Sequence, residues 1–342
     1  MLIDFSNIIG QIVIVLIKHT KEGVDVDMIS DVVKNYLPQK MAKIILGLGH
    51  DELCQINEIR LRSNRPMMLV KSDDDFFITK DGTKTKNLAL AIKTTSDEIL
   101  DTLNLICCNS IYAYMDTIRS GFITIKGGHR VGITGKSVIE NGKIKNIKDV
   151  SSINIRIARE IKGVGLKMVK YIIRNKNDIY NTLIISPPAY GKTTLLRDVV
   201  RILSDGFSDF KFKGMKISIV DERSEIAALF NGVPQNDVGI RSDVIDGCSK
   251  CEGMILALRS MSPQIIATDE IGSSRDFEVL RKIISCGVRI ITTAHGFDIL
   301  DVAKRDIGKI FDRFVILGKD NKVGSIKDIL DGSTLKSLVK EA

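Results

Sequence analysis

The sequence predicts an α/β protein with a mainly parallel sheet, preceded by a smaller α+β domain. Three observations predict this fold class. Short apolar segments alternate with helical segments from about residue 151 onward, which is typical of a parallel sheet covered by helices. β-branched residues and glycine turns dominate residues 120–147, which favours antiparallel hairpins. A Gly-Lys-Thr triplet follows one of the apolar segments at the point where a helix is predicted to begin.

Helical periodicity and a strand pattern open the smaller domain. Apolar residues recur at helical spacing over residues 28–48, interrupted by Pro38. Residues 56–70 alternate apolar and charged side chains as a half-buried strand does. After a short strand and turn, threonine and serine residues that precede Glu98 mark the start of a second helix. The hairpins at 120–147 complete this domain.

We therefore expect an amino-terminal extension at residues 1–28, an α+β domain at 29–150 and a larger α/β domain at 151–342. Strands of the larger domain are predicted in "TLIIS", "KISIVDE", "QIIATDE", "VRIITTAHG" and "RFVILG". Because parallel sheets bind ligands at the carboxyl ends of their strands, we expect the functional site there.

Composition limits the classes of function. The chain has 342 residues, of which 27% are charged, and a formal charge of +8. This charge permits phosphate, acidic lipid or nucleic acid as a partner without choosing among them. Tryptophan is absent and aromatic residues make up 5%, so a base-stacking platform is not expected.

The cysteines and the apolar amino-terminal segment indicate the cellular compartment in which the protein is expected. Six scattered cysteines without a cleavable signal are typical of a reduced, cytosolic protein. The single Cys248-Ser-Lys-Cys251 motif favours ordinary thiols over a zinc site. Residues 8–17 are apolar, but a membrane span needs about 20 residues. We expect a core helix there, or a helix that contacts a membrane or a partner, and no membrane span.

A phosphate-binding loop is predicted between the strand "NTLII" and the next helix. Backbone N–H groups at such a helix start bind phosphate, and the helix dipole favours an anion. Lys192 would neutralise the β- and γ-phosphates, and the Thr193 hydroxyl would ligate Mg²⁺. The expected ligands are therefore ATP and Mg²⁺. The loop residues are Ser186, Pro187, Pro188, Ala189, Tyr190, Gly191, Lys192, Thr193 and Thr194.

Ser186 stands where such a loop usually has its first glycine. That glycine eases the turn out of the strand, whereas Gly191 lets the backbone approach phosphate. Serine is small and forms hydrogen bonds in turns, so we expect nucleotide binding to persist. Fast hydrolysis does not follow from the loop alone.

Acidic residues end two further strands. Asp269 is expected to hold Mg²⁺ through water, and Glu270 to orient or deprotonate the attacking water. Asp221, Glu222 and Glu225 end the other strand. They would tune Mg²⁺ and water, or receive an arginine from a neighbouring subunit; a solvated turn with salt bridges is the alternative.

Three basic residues complete the predicted site. His295 ends a strand, where its imidazole could sense the γ-phosphate; a structural histidine is the alternative. Arg156 and Arg159 lie near the domain boundary, where arginines can stabilise transferring phosphate in cis or across subunits. Ordinary surface salt bridges explain these two arginines equally well.

In these motifs the chain resembles the stage III sporulation protein AA family and, more broadly, the secretion and pilus traffic ATPases. The resemblance covers about residues 29–330. It is carried by "EIRLRSNRP" (58–66), "GFITIKGGHRVGITGK" (121–136), "SSINIRIARE" (151–160), "VDERSEI" (220–226), "DVGIRSDVIDGCSKCEGMILALRSMSPQIIATDEIG" (237–272) and "TTAHG" (292–296).

The resemblance implies a RecA-like P-loop NTPase core and a cytosolic ATPase at the mother-cell face of the outer forespore membrane. There it would power a secretion-like channel between mother cell and forespore, as a homo-oligomeric ring, expected to be a hexamer, held by membrane proteins. The implied matches are Lys192 and Thr193 in Walker A, Asp269 and Glu270 in Walker B, Glu222 and Glu225 in the aspartate box, His295 in the histidine box and, more loosely, Arg156 and Arg159 among amino-terminal-domain arginines.

Two other functions stay open at the level of sequence. A nucleic-acid-dependent RecA-like ATPase is compatible with the net charge, but the basic residues are dispersed among acids, so we expect no nucleic-acid partner. A nucleotide-gated scaffold that binds ATP with little hydrolysis is compatible with Ser186.

Overall fold

A computed structural model of the chain describes residues 28–72, 74–119, 121–303, 310–319 and 322–339. The chain divides into two compact units, one ending at Arg159 and the other beginning at Glu160. Apart from Met28, the predicted amino-terminal extension lies outside the described residues. No helix within these described ranges is long and apolar enough to cross a membrane.

The amino-terminal unit is built on an antiparallel sheet. Its strands are β1 (Glu58–Arg62), β2 (Arg65–Pro66), β3 (Met68–Val70), β4 (Asp75–Ile78), β5 (Lys84–Thr85), β6 (Lys93–Thr94), β7 (Phe122–Ile125), β8 (His129–Glu140) and β9 (Lys143–Arg156). Its helices are α1 (28–36), α2 (Gln39–Leu46), α3 (His50–Cys54), α4 (Ser96–Ile106) and α5 (Met115–Arg119). Seven strands form the sheet in the order β5-β4-β3-β1-β9-β8-β7, and β2 and β6 form a separate pair.

Local sequence explains most of these boundaries. Pro38 separates α1 from α2, because proline has no backbone N–H to donate within a continuous helix. Thr95 and Glu98 form a capping box that starts α4. The single strand predicted over residues 56–70 is wrong: the chain reverses at Asn64, which has a φ of 57°, and β1 then pairs antiparallel with β3.

Residues 151–159 lie in the amino-terminal unit, so the division falls after Arg159 rather than before residue 151. The physical reason is the length of β9, which pairs through Ser152–Arg156 with β1 on one side and with β8 on the other. A strand hydrogen-bonded on both edges belongs to that sheet.

The strands of the carboxyl-terminal unit are β10 (Ile173–Asn175), β11 (Asp178–Ile179), β12 (Thr182–Ser186), β13 (Ile217–Asp221), β14 (Leu229–Phe230), β15 (Val233–Pro234), β16 (Ser242–Asp246), β17 (Ile265–Thr268), β18 (Arg289–His295), β19 (Arg313–Leu317) and β20 (Ile326–Asp331). Its helices are α6 (Leu166–Ile172), α7 (Lys192–Asp205), α8 (Lys250–Ser260), α9 (Ser274–Ser285) and α10 (Ile299–Ala303). Seven of the strands form one sheet in the order β16-β13-β17-β18-β12-β19-β20. Every pair in this sheet is parallel except β19–β20.

Helices cover both faces of this sheet. Successive strand residues face opposite sides, and Ile184 and Ile185 accordingly belong to two separate apolar clusters. One cluster contains Leu196 of α7, and the other contains Leu280 of α9. Burial on both faces explains why the central strands are continuously apolar. The edge strands β16 and β20 are only partly buried and more polar, so the sequence pattern did not reveal them.

Candidate nucleotide-binding and hydrolysis site

The predicted phosphate loop connects β12 to α7. Gly191 has a φ of 87°, a conformation that side chains disfavour. A Cβ atom at Gly191 would lie 2.5 Å from Cγ1 of Val323 and 2.6 Å from the backbone nitrogen of Gly324. The Gly324 N–H donates to the carbonyl of Tyr190 at 3.0 Å. The loop therefore rests on the segment between β19 and β20, and only glycine fits at position 191.

Ser186 is the last residue of β12 and is fully buried. In the register with β18 it lies opposite His295. Its hydroxyl donates to the carbonyl of Pro187 at 2.8 Å. The serine is therefore accommodated at the strand end, with its only polar side-chain atom bonded to the adjacent backbone.

The amino-terminal end of α7 has the features of an anion site. Thr95, Ser249 and Ser273 cap α4, α8 and α9 with their side chains, but no described side chain caps the 14-residue α7. The first N–H groups of a helix have no intrahelical acceptor. Such N–H groups and the helix dipole suit a phosphate.

Lys192 begins α7 and is only 6% exposed. Its Nζ lies 3.2 Å from Nδ1 of His295 and 3.7 Å from Oε1 of Glu270. Since an ammonium group only donates, Nδ1 must accept, which leaves the ring proton on Nε2. Nε2 lies 3.0 Å from the same Glu270 oxygen, so it donates to that carboxylate. Lys192, His295 and Glu270 thus form one connected group.

Thr193 and Asp269 offer adjacent oxygens for a magnesium ion. The Thr193 hydroxyl donates to Oδ2 of Asp269 at 2.5 Å, and the Thr293 hydroxyl donates to Oδ1. In the described part of the chain, no group of three or more His, Cys, Asp or Glu residues could hold a metal by itself. A hydroxyl ligand and a carboxylate that acts through water fit Mg²⁺, which takes few protein ligands and completes its shell with water and phosphate oxygens.

Glu270 follows β17 in a left-handed conformation, with a φ of 53°. Its N–H donates to Oγ1 of Thr293 at 2.8 Å. Of its carboxylate oxygens, Oε1 contacts Lys192 and His295, and Oε2 lies 2.9 Å from Nη1 of Arg223. The carboxylate is therefore held from both sides while 21% of the side chain remains exposed.

The acids after β13 have different environments. Asp221 is only 2% exposed and accepts N–H groups from Glu225 at 2.8 Å, Ile226 at 3.0 Å and Ala227 at 2.8 Å. Burial raises the pKa of Asp221, and these hydrogen bonds oppose that increase. Asp221 thus anchors its loop through the backbone, and its expected effect on Mg²⁺ stays a prediction.

Glu222 and Glu225 line the same cleft as Asp269 and Glu270. The carboxylate of Glu222 lies 2.8 Å from Nζ of Lys250. For Glu225, the backbone carbonyl accepts from Arg197 at 2.6 Å. These two acids therefore lie beside the proposed hydrolytic carboxylate, as the sequence predicted, but their roles in catalysis stay predictions.

Arg156 and Arg159 belong to the amino-terminal unit and have partners there. Nε of Arg156 lies 3.5 Å from Oε1 of Glu58. Arg159 donates to the backbone carbonyl of Cys54 and, at 3.2 Å, to that of Ile56. Their predicted contribution to phosphate transfer stays a prediction.

Sequence reasoning missed three residues that contact the predicted acids Asp269, Glu270 and Glu222: Thr293, Arg223 and Lys250. Thr293 carried a usable signal, because it precedes His295 by two positions on β18 and therefore faces the same side of the sheet. Arg223 and Lys250 carried none, because only the tertiary fold brings them to Glu270 and Glu222.

The two cysteines of the CxxC motif lie next to this region. Cys251 is buried, with Sγ 3.4 Å from Oδ1 of Asp276, and Cys248 is half-buried. Burial raises the pKa of both thiols. Raised pKa values disfavour the reactive thiolate form at neutral pH.

A family model described as "Sporulation stage III, protein AA" matches residues 29–336. The chain belongs to this family. Stage III sporulation protein AA of Bacillus subtilis (strain 168) is 37% identical over 301 residues, which are 86% of this chain and 93% of that protein. The family assignment made from the quoted motifs is therefore confirmed.

Two solved structures resemble the fold of this family member. The ATPase DotB of Legionella pneumophila has a TM-score of 0.52 at 15% identity, covering 82% of this chain and 76% of that one. The pilus retraction motor PilT with bound ADP has a TM-score of 0.52 at 14% identity, covering 85% and 80%. At such low identity the likeness shows the fold alone, and it confirms the RecA-like core.

Proposed function

We propose that this chain is a P-loop ATPase that drives a secretion-like channel between mother cell and forespore during endospore formation. One observation carries the enzymatic part. Lys192 and Thr193 at the start of α7 contact Asp269, Glu270 and His295 at the ends of two neighbouring strands. These contacts support the proposal, because nucleotide hydrolysis needs a phosphate ligand, a metal ligand and a carboxylate base close together.

Each residue has a distinct role in this proposal. The N–H groups around Gly191 and the ammonium of Lys192 would bind the phosphates, and Thr193 and Asp269 would hold Mg²⁺, Asp269 through water. When bound, Mg²⁺ would neutralise charge on the phosphoryl oxygens. Glu270 accepts a proton from the attacking water at its carboxylate, and Nε2–H of His295 orients that carboxylate.

The cellular part of the proposal rests on the family. A stage III sporulation protein with the fold of secretion ATPases fits a cytoplasmic enzyme of the mother cell, peripheral at the outer forespore membrane. We propose a hexameric ring that is attached there by membrane proteins, with Glu222, Glu225, Arg156 and Arg159 contributing to nucleotide sites between subunits.

Steady-state ATP hydrolysis by purified wild-type protein and Glu270→Gln tests the enzymatic part. The amide cannot accept the proton, so we expect turnover to fall about 100-fold or more while Mg²⁺·ATP still binds. Glu278→Gln, which changes an exposed glutamate on α9, is the matched control and should retain wild-type turnover.

Three outcomes would contradict the proposal. Wild-type turnover in Glu270→Gln would refute the role of that carboxylate. ATP binding without turnover in the wild-type protein as well as in Glu270→Gln would favour a nucleotide-gated scaffold. Stimulation by DNA alone, with none from anionic vesicles or channel proteins, would favour a nucleic-acid-dependent ATPase.

A further inference from the structure

Arg223, which none of the predicted functions used, contacts the proposed base from the loop that also carries Glu222 and Glu225. It follows β13, and Glu270 follows β17; these strands are adjacent and parallel, with Val220 aligned to Thr268. Their loops therefore emerge side by side at the carboxyl edge of the sheet. The result is a 2.9 Å contact between Nη1 of Arg223 and Oε2 of Glu270.

The backbone around Arg223 is fixed. The next residue, Ser224, has a φ of 51°, and its hydroxyl donates to Oδ1 of Asp246 at 2.7 Å. On the other side, the carboxylate of Asp221 binds the N–H groups of Glu225 and Ile226. A left-handed non-glycine residue persists only where its surroundings hold it, so this loop presents Arg223 from a defined backbone.

The Glu270 side of the contact is equally well defined. Its N–H is bonded to Oγ1 of Thr293 at 2.8 Å and to Oδ1 of Asp269 at 3.0 Å. Its two carboxylate oxygens have separate partners, since Oε1 contacts Lys192 and His295 whereas Oε2 contacts Arg223. Because 61% of the Arg223 side chain is exposed, solvent screens the attraction, and the effect of the contact is geometric.

We propose that Arg223 is a positioning residue that holds Oε2 of Glu270, so that Oε1 faces the water to be activated. This inference rests on the hydrolysis proposed above. Lys192 is the phosphate ligand in that reaction and lies 3.7 Å from Oε1, whereas Nε2 of His295 lies 3.0 Å from the same oxygen. The guanidinium of Arg223 and the imidazole of His295 then hold one oxygen each, which restricts rotation of the carboxylate about its terminal bond.

The test compares full-length wild-type protein with Arg223→Ala, Arg223→Lys and Arg223→Ala/Glu270→Gln. We expect Arg223→Ala to lower kcat about 10- to 100-fold, since a misplaced catalytic group costs that much, with the Kd for Mg²⁺·ATP changed less than about threefold. Arg223→Lys should recover part of the rate, because an ammonium can hold one oxygen. The double variant should hydrolyse ATP no more slowly than Glu270→Gln alone.

Arg281→Ala on α9 removes another exposed arginine and should leave both constants unchanged. The inference is overturned if Arg223→Ala retains or exceeds wild-type kcat, if it weakens ATP binding as much as turnover, or if its effect persists undiminished in the Glu270→Gln background. A wild-type enzyme that binds ATP without hydrolysing it overturns the proposed function and this inference together. Normal wild-type turnover with an unaffected Arg223→Ala overturns this inference alone.

Discussion

Single residues determine whether the predicted phosphate loop can adopt its backbone conformation. At Gly191, both the positive φ and the proximity of Val323 and Gly324 exclude a side chain. At Ser186, the space is sufficient for a hydroxymethyl group bonded to the backbone. The structure therefore excludes a side chain at position 191 and accommodates serine at position 186.

Gly191→Ala tests the steric requirement. We expect it to lower the free energy of unfolding by about 1–3 kcal/mol and to weaken Mg²⁺·ATP binding, because the Cβ displaces the loop from the Val323–Gly324 segment. Gly142→Ala is matched to it, since Gly142 has a φ of 72° but no atom within 4 Å of its added Cβ. Denaturant unfolding and ATP titration measure both effects; equal behaviour of the two variants would refute the argument.

His129 predicts an acid-sensitive amino-terminal unit. It is 1% exposed, its Nδ1 accepts the N–H of Ala158 at 3.0 Å, and burial lowers its pKa to about 4. Between this value and the unfolded pKa of about 6.5, only the unfolded chain binds the proton. Stability from His129 is therefore complete above about pH 6.5 and is lost as the pH falls to about 4.

The measurement is urea unfolding of wild type and His129→Gln at pH 7.5 and 5. The free energy of unfolding of the wild type should be lower at pH 5 than at pH 7.5. We expect about 2 kcal/mol of this decrease to be absent in His129→Gln. His50→Gln, which changes an exposed histidine on α3, is the control and should retain the wild-type difference. An unchanged pH dependence in His129→Gln would rule out the buried neutral imidazole as its source.

At the scale of elements, the loop after β13 is organised around a buried charge. The Asp221 carboxylate binds consecutive backbone N–H groups and thereby closes the segment that carries Glu222, Arg223 and Glu225. Arg197 of α7 binds the carbonyls of Glu225 and Ile226 from the other side, at 2.6 Å each. The phosphate-loop helix and the acidic loop are therefore directly connected.

Asp221→Asn should disturb this loop. The amide presents a donor to N–H groups that need an acceptor, so we expect a loss of about 2–3 kcal/mol in unfolding free energy together with lower turnover. Asp243→Asn changes an exposed aspartate on β16 and serves as the control. Unfolding curves and ATPase rates that are the same for Asp221→Asn and wild type would contradict the anchoring role.

At the scale of the whole molecule, the proposed ring couples nucleotide binding to assembly, because its nucleotide sites lie between subunits. Ligands that bind only the assembled state stabilise it by mass action. We expect Glu270→Gln with Mg²⁺·ATP to give the largest assembled fraction, because its nucleotide persists. Lys192→Ala should lose about 10- to 100-fold in ATP affinity and keep its nucleotide-free mass at the same ATP concentration.

Mass photometry or light scattering with and without Mg²⁺·ATP checks this prediction. Lys216→Ala, which changes an exposed lysine before β13, should assemble like the wild type. Assembly of Lys192→Ala at low ATP, or a wild-type mass that does not respond to nucleotide, would contradict the coupling of assembly to nucleotide binding.

The sequence by itself determined the family and the parallel core, and it predicted five residues of the candidate site that the structure brings together: Lys192, Thr193, Asp269, Glu270 and His295. They could be predicted because each follows an apolar strand, and the carboxyl ends of parallel strands meet at one edge. The antiparallel hairpins and the start of α4 could be predicted because turns and helix caps depend on residues that are close in sequence.

Only the tertiary structure decided the rest. Strand order, which no local pattern encodes, brings Arg223 to Glu270 and Lys250 to Glu222. It also buries Asp221, whose carboxylate then binds the backbone of its own loop. The division after Arg159 was decided in the same way, because the pairing of β9 with β1 joins residues distant in sequence. Periodicity indicates which face of a helix or strand is buried. Which side chains contact each other is determined only when the helices and strands pack together.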